Sequence, residues 1–102
     1  MKWPAFSKKS GSEEAVLIYF NTNNIDDVFL LEEQLAEALG STGEVDGNEI
    51  GGGEATLFLY GSDAETMYRK IGSFLQSSPL CQGARVVIRW GGPGSPQREV
   101  RL

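Results

Sequence analysis

The chain has 102 residues, 40% of them hydrophobic, and a formal net charge of −5. This length suits one folding unit with a core of its own. Histidine is absent and Cys81 is the single cysteine, which excludes imidazole-dependent nucleophilic catalysis and the usual zinc, haem and iron–sulfur ligand sets. A lone cysteine cannot form an internal disulfide, and we therefore expect a cytoplasmic protein.

The two ends of the chain differ in composition from its middle. Residues 1–12 (MKWPAFSKKSGS) are predicted to be a flexible arm, with Trp3 and Phe6 as the side chains able to anchor it. The arm has basic residues but no apolar stretch of signal-peptide length. We place a single domain at 13–91 and assign 92–102 to a tail or an added strand.

The first half of the domain reads as a strand, a helix and a weak strand. Ala15 to Phe20 (AVLIYF) has the β-branched and aromatic residues of a buried strand. The following NTNNIDD supplies turn and capping residues for a helix that runs to about Leu39 and stops at Gly40. Glu44 to Ile50 is a weak strand, expected at a sheet edge. The spacing predicts that the apolar stripe of the helix consists of Ile25, Val28, Phe29, Leu35, Ala36 and Leu39.

The second half repeats this order. Glu54 to Tyr60 is a strong strand, and Ser62 is predicted to cap a helix in which Glu65 completes a capping box. Ala84 to Trp90 is a further strong strand. The closing REVRL alternates in a way that allows a short extra strand.

Three consecutive glycines, Gly51, Gly52 and Gly53, raise the question of a phosphate-binding loop. Such a loop follows a strand and opens a helix, so that helix amides meet the phosphate. Here the glycines lie between two strands, and Glu49 and Glu54 flank them with negative charge. We predict that the glycines turn a hairpin.

The succession strand, helix, strand, strand, helix, strand resembles the ferredoxin-like (split βαβ) fold over roughly residues 15–90. The resemblance implies an α+β sandwich with a four-stranded antiparallel sheet and both helices on one face. It places the first and third strands in the middle and the second and fourth at the edges. No specific family is indicated, so no family site residues are carried over.

Charge is divided unevenly along the chain. Residues 10–68 contain thirteen of the fourteen acidic residues and none of the nine basic ones. On the first helix Asp26, Glu33 and Glu37 fall within about 40° of one another at 100° per residue. This stripe is either a solvated face or a surface that attracts a basic protein partner. Either way it would repel nucleic acid and anionic lipid, so we expect neither nucleic acid nor membrane as a partner.

Strand alternation predicts a second surface, on the sheet face that the helices leave uncovered. Aromatic side chains on this face resemble RNA-recognition sheets, but the third strand lacks their basic, glycine-containing motif. We expect a second copy of the domain or the tail, through Val100 and Leu102, to cover the face, and we favour a homodimer. The residues assigned to this dimer face are Leu17, Tyr19, Phe58, Tyr60, Arg85 and Arg89.

Three functions are open on this basis. The first is a non-catalytic acidic binding module that engages a basic protein, with the size and charge of a bacterial immunity-type inhibitor, or that acts as an oligomeric regulatory domain. The second is a dimeric sensor of a small molecule. The third is an enzyme that works without histidine. We favour the first, and we predict no catalytic, cofactor or metal site.

Overall fold

The computed structural model describes residues 13–102, and the arm predicted at 1–12 lies outside this range. Within it, two helices pack on one face of an antiparallel sheet of five strands, an α+β arrangement. None of the described helices is long and apolar enough to cross a membrane. In chain order the elements are β1 (Glu14–Asn21), α1 (Ile25–Leu39), β2 (Glu44–Gly51), β3 (Glu54–Gly61), α2 (Ala64–Ser77), β4 (Arg85–Arg89) and β5 (Gln97–Arg101).

The sheet order is β2-β3-β1-β4-β5, with β1 in the centre. Leu17 of β1 pairs with Phe58 of β3 on one side and with Val87 of β4 on the other. The weak strand β2 lies at an edge as predicted, and a bulge interrupts its pairing between Val45 and Gly47.

We predicted a sheet of four strands with β4 at one edge. The sheet has a fifth strand, β5, which pairs with β4 and takes the edge position that was expected for β4. Backbone hydrogen bonds continue past both ends of the β4–β5 pairing and hold the tail against β4. Trp90 N–H donates to the Pro96 carbonyl at 3.0 Å, and Leu102 N–H donates to the Ala84 carbonyl at 3.0 Å. Val100 and Leu102 pack against the core between sheet and helices, so these two side chains do not cover the opposite sheet face.

The core between sheet and helices follows the strand alternation. Val16, Ile18, Leu57, Leu59 and Ile88 are fully buried there and meet the helices. On α2 the side chains at three- and four-residue spacing complete the layer. These are Ala64, Met67, Ile71 and Leu75. Burial of this layer is the main source of stability for a chain of this size.

The glycines between β2 and β3 form the predicted hairpin turn. Gly52 and Gly53 have φ of 61° and 83°, and a two-residue type I′ turn requires positive φ at both central positions. The Gly53 carbonyl accepts a hydrogen bond of 2.9 Å from Thr22 N–H, which ties the hairpin to the loop between β1 and α1.

The cap of α2 differs from the prediction. Asp63, rather than Ser62, accepts a hydrogen bond from Thr66 N–H at 3.0 Å. Glu65 therefore does not complete a capping box with Ser62. Its carboxylate instead accepts from Arg98 and Trp90.

Candidate functional site

Helix α1 is defined at both ends by its own sequence. The Asn24 side chain accepts from Asp26 N–H at 2.9 Å and from Asp27 N–H at 3.4 Å, and it thereby satisfies two helical amides that have no partner in the helix. Asp26 and Asp27 in the first turn suit the positive end of the helix dipole. Gly40, with φ of 56°, ends the helix as predicted.

The buried side of α1 consists of Val28, Leu31, Leu35 and Leu39. These residues differ from the predicted stripe, because Ile25 and Phe29 are each 50% exposed and Ala36 is also exposed. A helical projection explains the difference. At 100° per residue Leu35 lies opposite Asp26, whereas Phe29 and Ala36 fall on the acidic side of the helix. The same projection, made from the sequence alone, identifies the residues of α1 that face solvent.

The acidic stripe of α1 is flanked by apolar side chains. Asp26, Glu33 and Glu37 are all exposed and lie directly opposite the core. Leu30, 53% exposed, and Phe29, 50% exposed, lie about 40° and 60° from Asp26, one on each side of the stripe. The grouping of the three carboxylates was predicted from the sequence, and the two large apolar groups beside them were not. We call these five residues the α1 surface.

Strand β2 extends the acidic region away from the helix. The Glu32 carboxylate accepts a hydrogen bond of 2.9 Å from the Asn48 side chain, which fixes α1 against β2. A shallow groove runs beside this contact, and its lining includes Glu33 and Asp46. Carboxylates from two elements that are distant in sequence thus border one surface.

A second groove, of about 620 Å³, lies between α1 and the end of α2. Its apolar wall is formed by Leu30, Phe74 and Leu80, and Gln34 and Ser77 add polar groups. Leu30 belongs both to this groove and to the α1 surface. The α1 surface therefore has a concave, partly apolar site next to its acidic stripe.

The six residues assigned to the dimer face lie on the sheet face opposite the helices. Leu17 is only 7% exposed, and Tyr19, Phe58 and Tyr60 pack around it. The Arg85 guanidinium stacks 4.1 Å from the centre of the Tyr19 ring. Burial raises the pKa of the Tyr60 phenol above its ordinary value, and the charge of Arg89 partly opposes this shift. The dimer-face residues are thus together, but on the opposite side of the sheet from the α1 surface.

One polar cluster, formed by Glu65, Trp90 and Arg98, was not predicted from the sequence. The Glu65 carboxylate accepts two hydrogen bonds of 2.8 Å from Arg98 and one of 3.2 Å from the Trp90 indole. The hydrogen bonds from Arg98 lower the pKa of Glu65 below its ordinary value. Because these residues come from α2, β5 and the end of β4, no local sequence pattern indicates their contact. The cluster joins the added strand to the helix layer.

The remaining candidate reactive group is Cys81, which is fully buried in the core. Burial raises the pKa of its thiol, and a hydrogen bond with Ser78 opposes this only in part. A thiol with a raised pKa is a weak nucleophile at neutral pH. Among residues 13–102 there is no group of three or more histidine, cysteine, aspartate or glutamate side chains placed to hold a metal ion.

Comparisons of the chain with family models, with curated proteins and with solved structures gave no match.

Proposed function

We propose that the protein is a non-catalytic binding module that engages a basic protein through the α1 surface. We also assign its core to the ferredoxin-like fold, with β5 as an addition to the four-stranded sheet. The βαββαβ succession and the order β2-β3-β1-β4 support this assignment. The fold hosts many functions, so the functional proposal depends on the surface and not on the fold.

The observation that carries the proposal is the exposure of Phe29 and Leu30, at 50% and 53%, among carboxylates. A helix face that serves solubility alone gains nothing from large apolar side chains in water. Aromatic and aliphatic anchors within a charged rim are instead typical of protein–protein interfaces. The half of each side chain that remains exposed would contribute roughly 1 kcal/mol if a partner covered it.

The carboxylates on and beside the α1 surface favour a positively charged partner. Asp26, Glu33 and Glu37 project from α1, and Asp46 adds to them from β2. Residues 10–68 contain no lysine or arginine, so no basic residue of α1 or β2 neutralises them. A surface of one sign accelerates the encounter with a partner of the opposite sign, and rim charges act mainly on the association rate. A basic protein with an exposed apolar side chain fits these features.

Two variants of the α1 surface are compared with a matched control. One variant carries Glu33→Gln and Glu37→Gln, a second carries Phe29→Ser and Leu30→Ser, and the control carries Glu54→Gln and Glu99→Gln. The control changes the net charge as much as the first variant but on different elements. Proteins from the native host that bind the wild type are identified, purified and measured by surface plasmon resonance.

We expect a basic partner whose association slows about tenfold or more for the Glu33/Glu37 variant at low salt. The Phe29/Leu30 variant should mainly speed dissociation, because buried apolar contacts hold the complex after encounter. The wild-type association rate should fall between ~0.01 and ~0.15 M salt, where the screening length shortens from about 30 to about 8 Å. A partner indifferent to salt and to both variants would contradict the proposal.

A further inference from the structure

The sheet face opposite the helices carries a charge gradient that runs across its strands. Its centre is apolar or aromatic, with Leu17, Val87 and Phe58 in one cross-strand row. In the next row, pairing along the sheet places Glu49 on β2, Thr56 on β3, Tyr19 on β1, Arg85 on β4 and Arg101 on β5. One edge of the face is thus acidic and the other basic.

The basic side of this face is held by local contacts. Glu99 of β5 lies 3.5 Å from Arg85 and 3.3 Å from Arg101, and it shares its single negative charge between the two. Arg89 Nε donates to the Gly91 carbonyl at 2.9 Å, which directs its side chain along the face. The Arg101 side chain is 70% exposed, so it remains accessible beyond the sheet edge. Three guanidinium groups against one carboxylate leave this side net positive.

We propose that a second copy of this chain covers the face, related by a two-fold axis that runs parallel to β1. Rotation about this axis exchanges the two edges of the sheet, so the acidic β2 side of each copy meets the basic β5 side of the other. Strands of the two sheets then remain nearly aligned, as in most face-to-face sheet packing. A two-fold axis across the strands would place β2 on β2 and β5 on β5, which opposes like charges.

Rotation about this axis places each cross-strand row of one copy over the same row of the other copy, in reverse order. Glu49 then lies opposite Arg101 of the partner subunit, and Phe58 lies opposite Val87 of the partner subunit. β1 lies over its own copy near the axis, because it is the central strand. Leu17 and Val87 are only 7% and 2% exposed, so the half-buried rings of Tyr19, Phe58 and Tyr60 provide most of the apolar contact. The interface therefore has an aromatic centre with two symmetry-related ion pairs at its rim, the usual arrangement of a specific interface.

The size of the face is sufficient for such a dimer. Four strand spacings of about 4.8 Å and a strand length of about 20 Å give a projected area of roughly 400 Å² per copy. Side-chain relief raises the area buried by two copies to about 1,000 Å² or more, the lower range for specific association. The surface is distinct from the α1 surface, so the dimer leaves that surface open and neither proposal depends on the other.

The test is charge exchange across the interface, measured as the dimer dissociation constant by sedimentation equilibrium at low salt. Glu49→Arg and Arg101→Glu should each weaken the dimer by about tenfold or more, since every change occurs twice in a two-fold assembly. The double variant restores opposite charges and should recover most of the loss. Lys70→Glu, on α2 at the far side of the sheet, makes the same charge reversal as Arg101→Glu; it is the matched control and should leave the dissociation constant unchanged.

Phe58→Glu is an independent test at the centre of the face, and it should give a folded monomer by circular dichroism and sedimentation. If it fails to fold, the charge-exchange series still decides the question. A wild type that is monomeric at about 100 µM overturns the proposal and leaves the face to another occupant, such as the amino-terminal residues. A dimer that ignores both the single reversals and their combination overturns the proposed axis.

Discussion

The Glu65 carboxylate illustrates how one residue joins parts of the chain that sequence separates. It lies in the first turn of α2 and binds Arg98 of β5 through two parallel hydrogen bonds of 2.8 Å. Bidentate pairing of this kind is stronger and more directional than a single contact between charged groups. The Trp90 indole, directly after β4, donates to the same carboxylate, so this one side chain contacts residues from two other parts of the chain.

We predict that Glu65→Gln lowers the thermal unfolding midpoint by a few degrees at neutral pH. Because the pKa of folded Glu65 lies below its ordinary value of 4.5, the pair stabilises the fold above that pH. This contribution is lost as the pH falls through the lowered pKa, so wild type and variant should converge in acid. Thermal unfolding followed by circular dichroism between neutral and acidic pH measures the difference. Glu33→Gln, an exposed carboxylate of α1, is the control, and a gap that persists unchanged in acid would contradict the assignment.

At the scale of elements, the β2–β3 hairpin depends on backbone conformations that few residues adopt. Gly52 and Gly53 both have positive φ, whereas the neighbouring Gly51 does not. A β-carbon added at Gly51 or Gly52 would meet no atom within 4 Å, so space does not limit substitution at either position. The difference between these adjacent glycines is therefore conformational and not steric.

Gly52→Val should destabilise the protein by about 1–2 kcal/mol, because a β-branched residue is strained in the left-handed region. Gly52→Asn should be nearly neutral, since Asn-Gly is a favoured pair for the type I′ turn. Gly51→Val is the matched control at a position with extended backbone, and it should also change stability little. Urea unfolding of the three variants tests this order. Equal losses at positions 51 and 52 would show that the turn geometry is not the cause.

At the scale of the whole molecule, the core is one continuous layer that includes the short 3-10 segment Pro79–Cys81 after α2. Cys81 is fully buried in that layer among residues from the sheet and both helices. Reagents reach such a thiol through an opening of the fold, and the opening of a central position approaches global unfolding.

We predict that Cys81 in the native protein reacts with a thiol reagent about 10³-fold or more slowly than in the unfolded chain, the factor expected for a stability of about 5 kcal/mol or more. Burial also raises the pKa of the thiol, so the closed form contributes little thiolate to the reaction. Absorbance on reaction with a disulfide reagent measures the rate, with the protein in concentrated urea as the reference. Native and unfolded chains that react at similar rates would place Cys81 outside the cooperative core.

Residue patterns alone predict the succession of strands and helices, the hairpin at the glycines and the two faces of the central strands. These features follow from alternation, helical spacing and capping, which act over a few neighbouring residues. Only the folded chain shows that β5 joins the sheet, because its backbone pairing with β4 and the Arg98–Glu65 contact both depend on residues from separate elements. Folding also brings Leu30 of α1 together with Phe74 and Leu80 in one groove, because only the packing of the two helices on the sheet places α1 beside the end of α2.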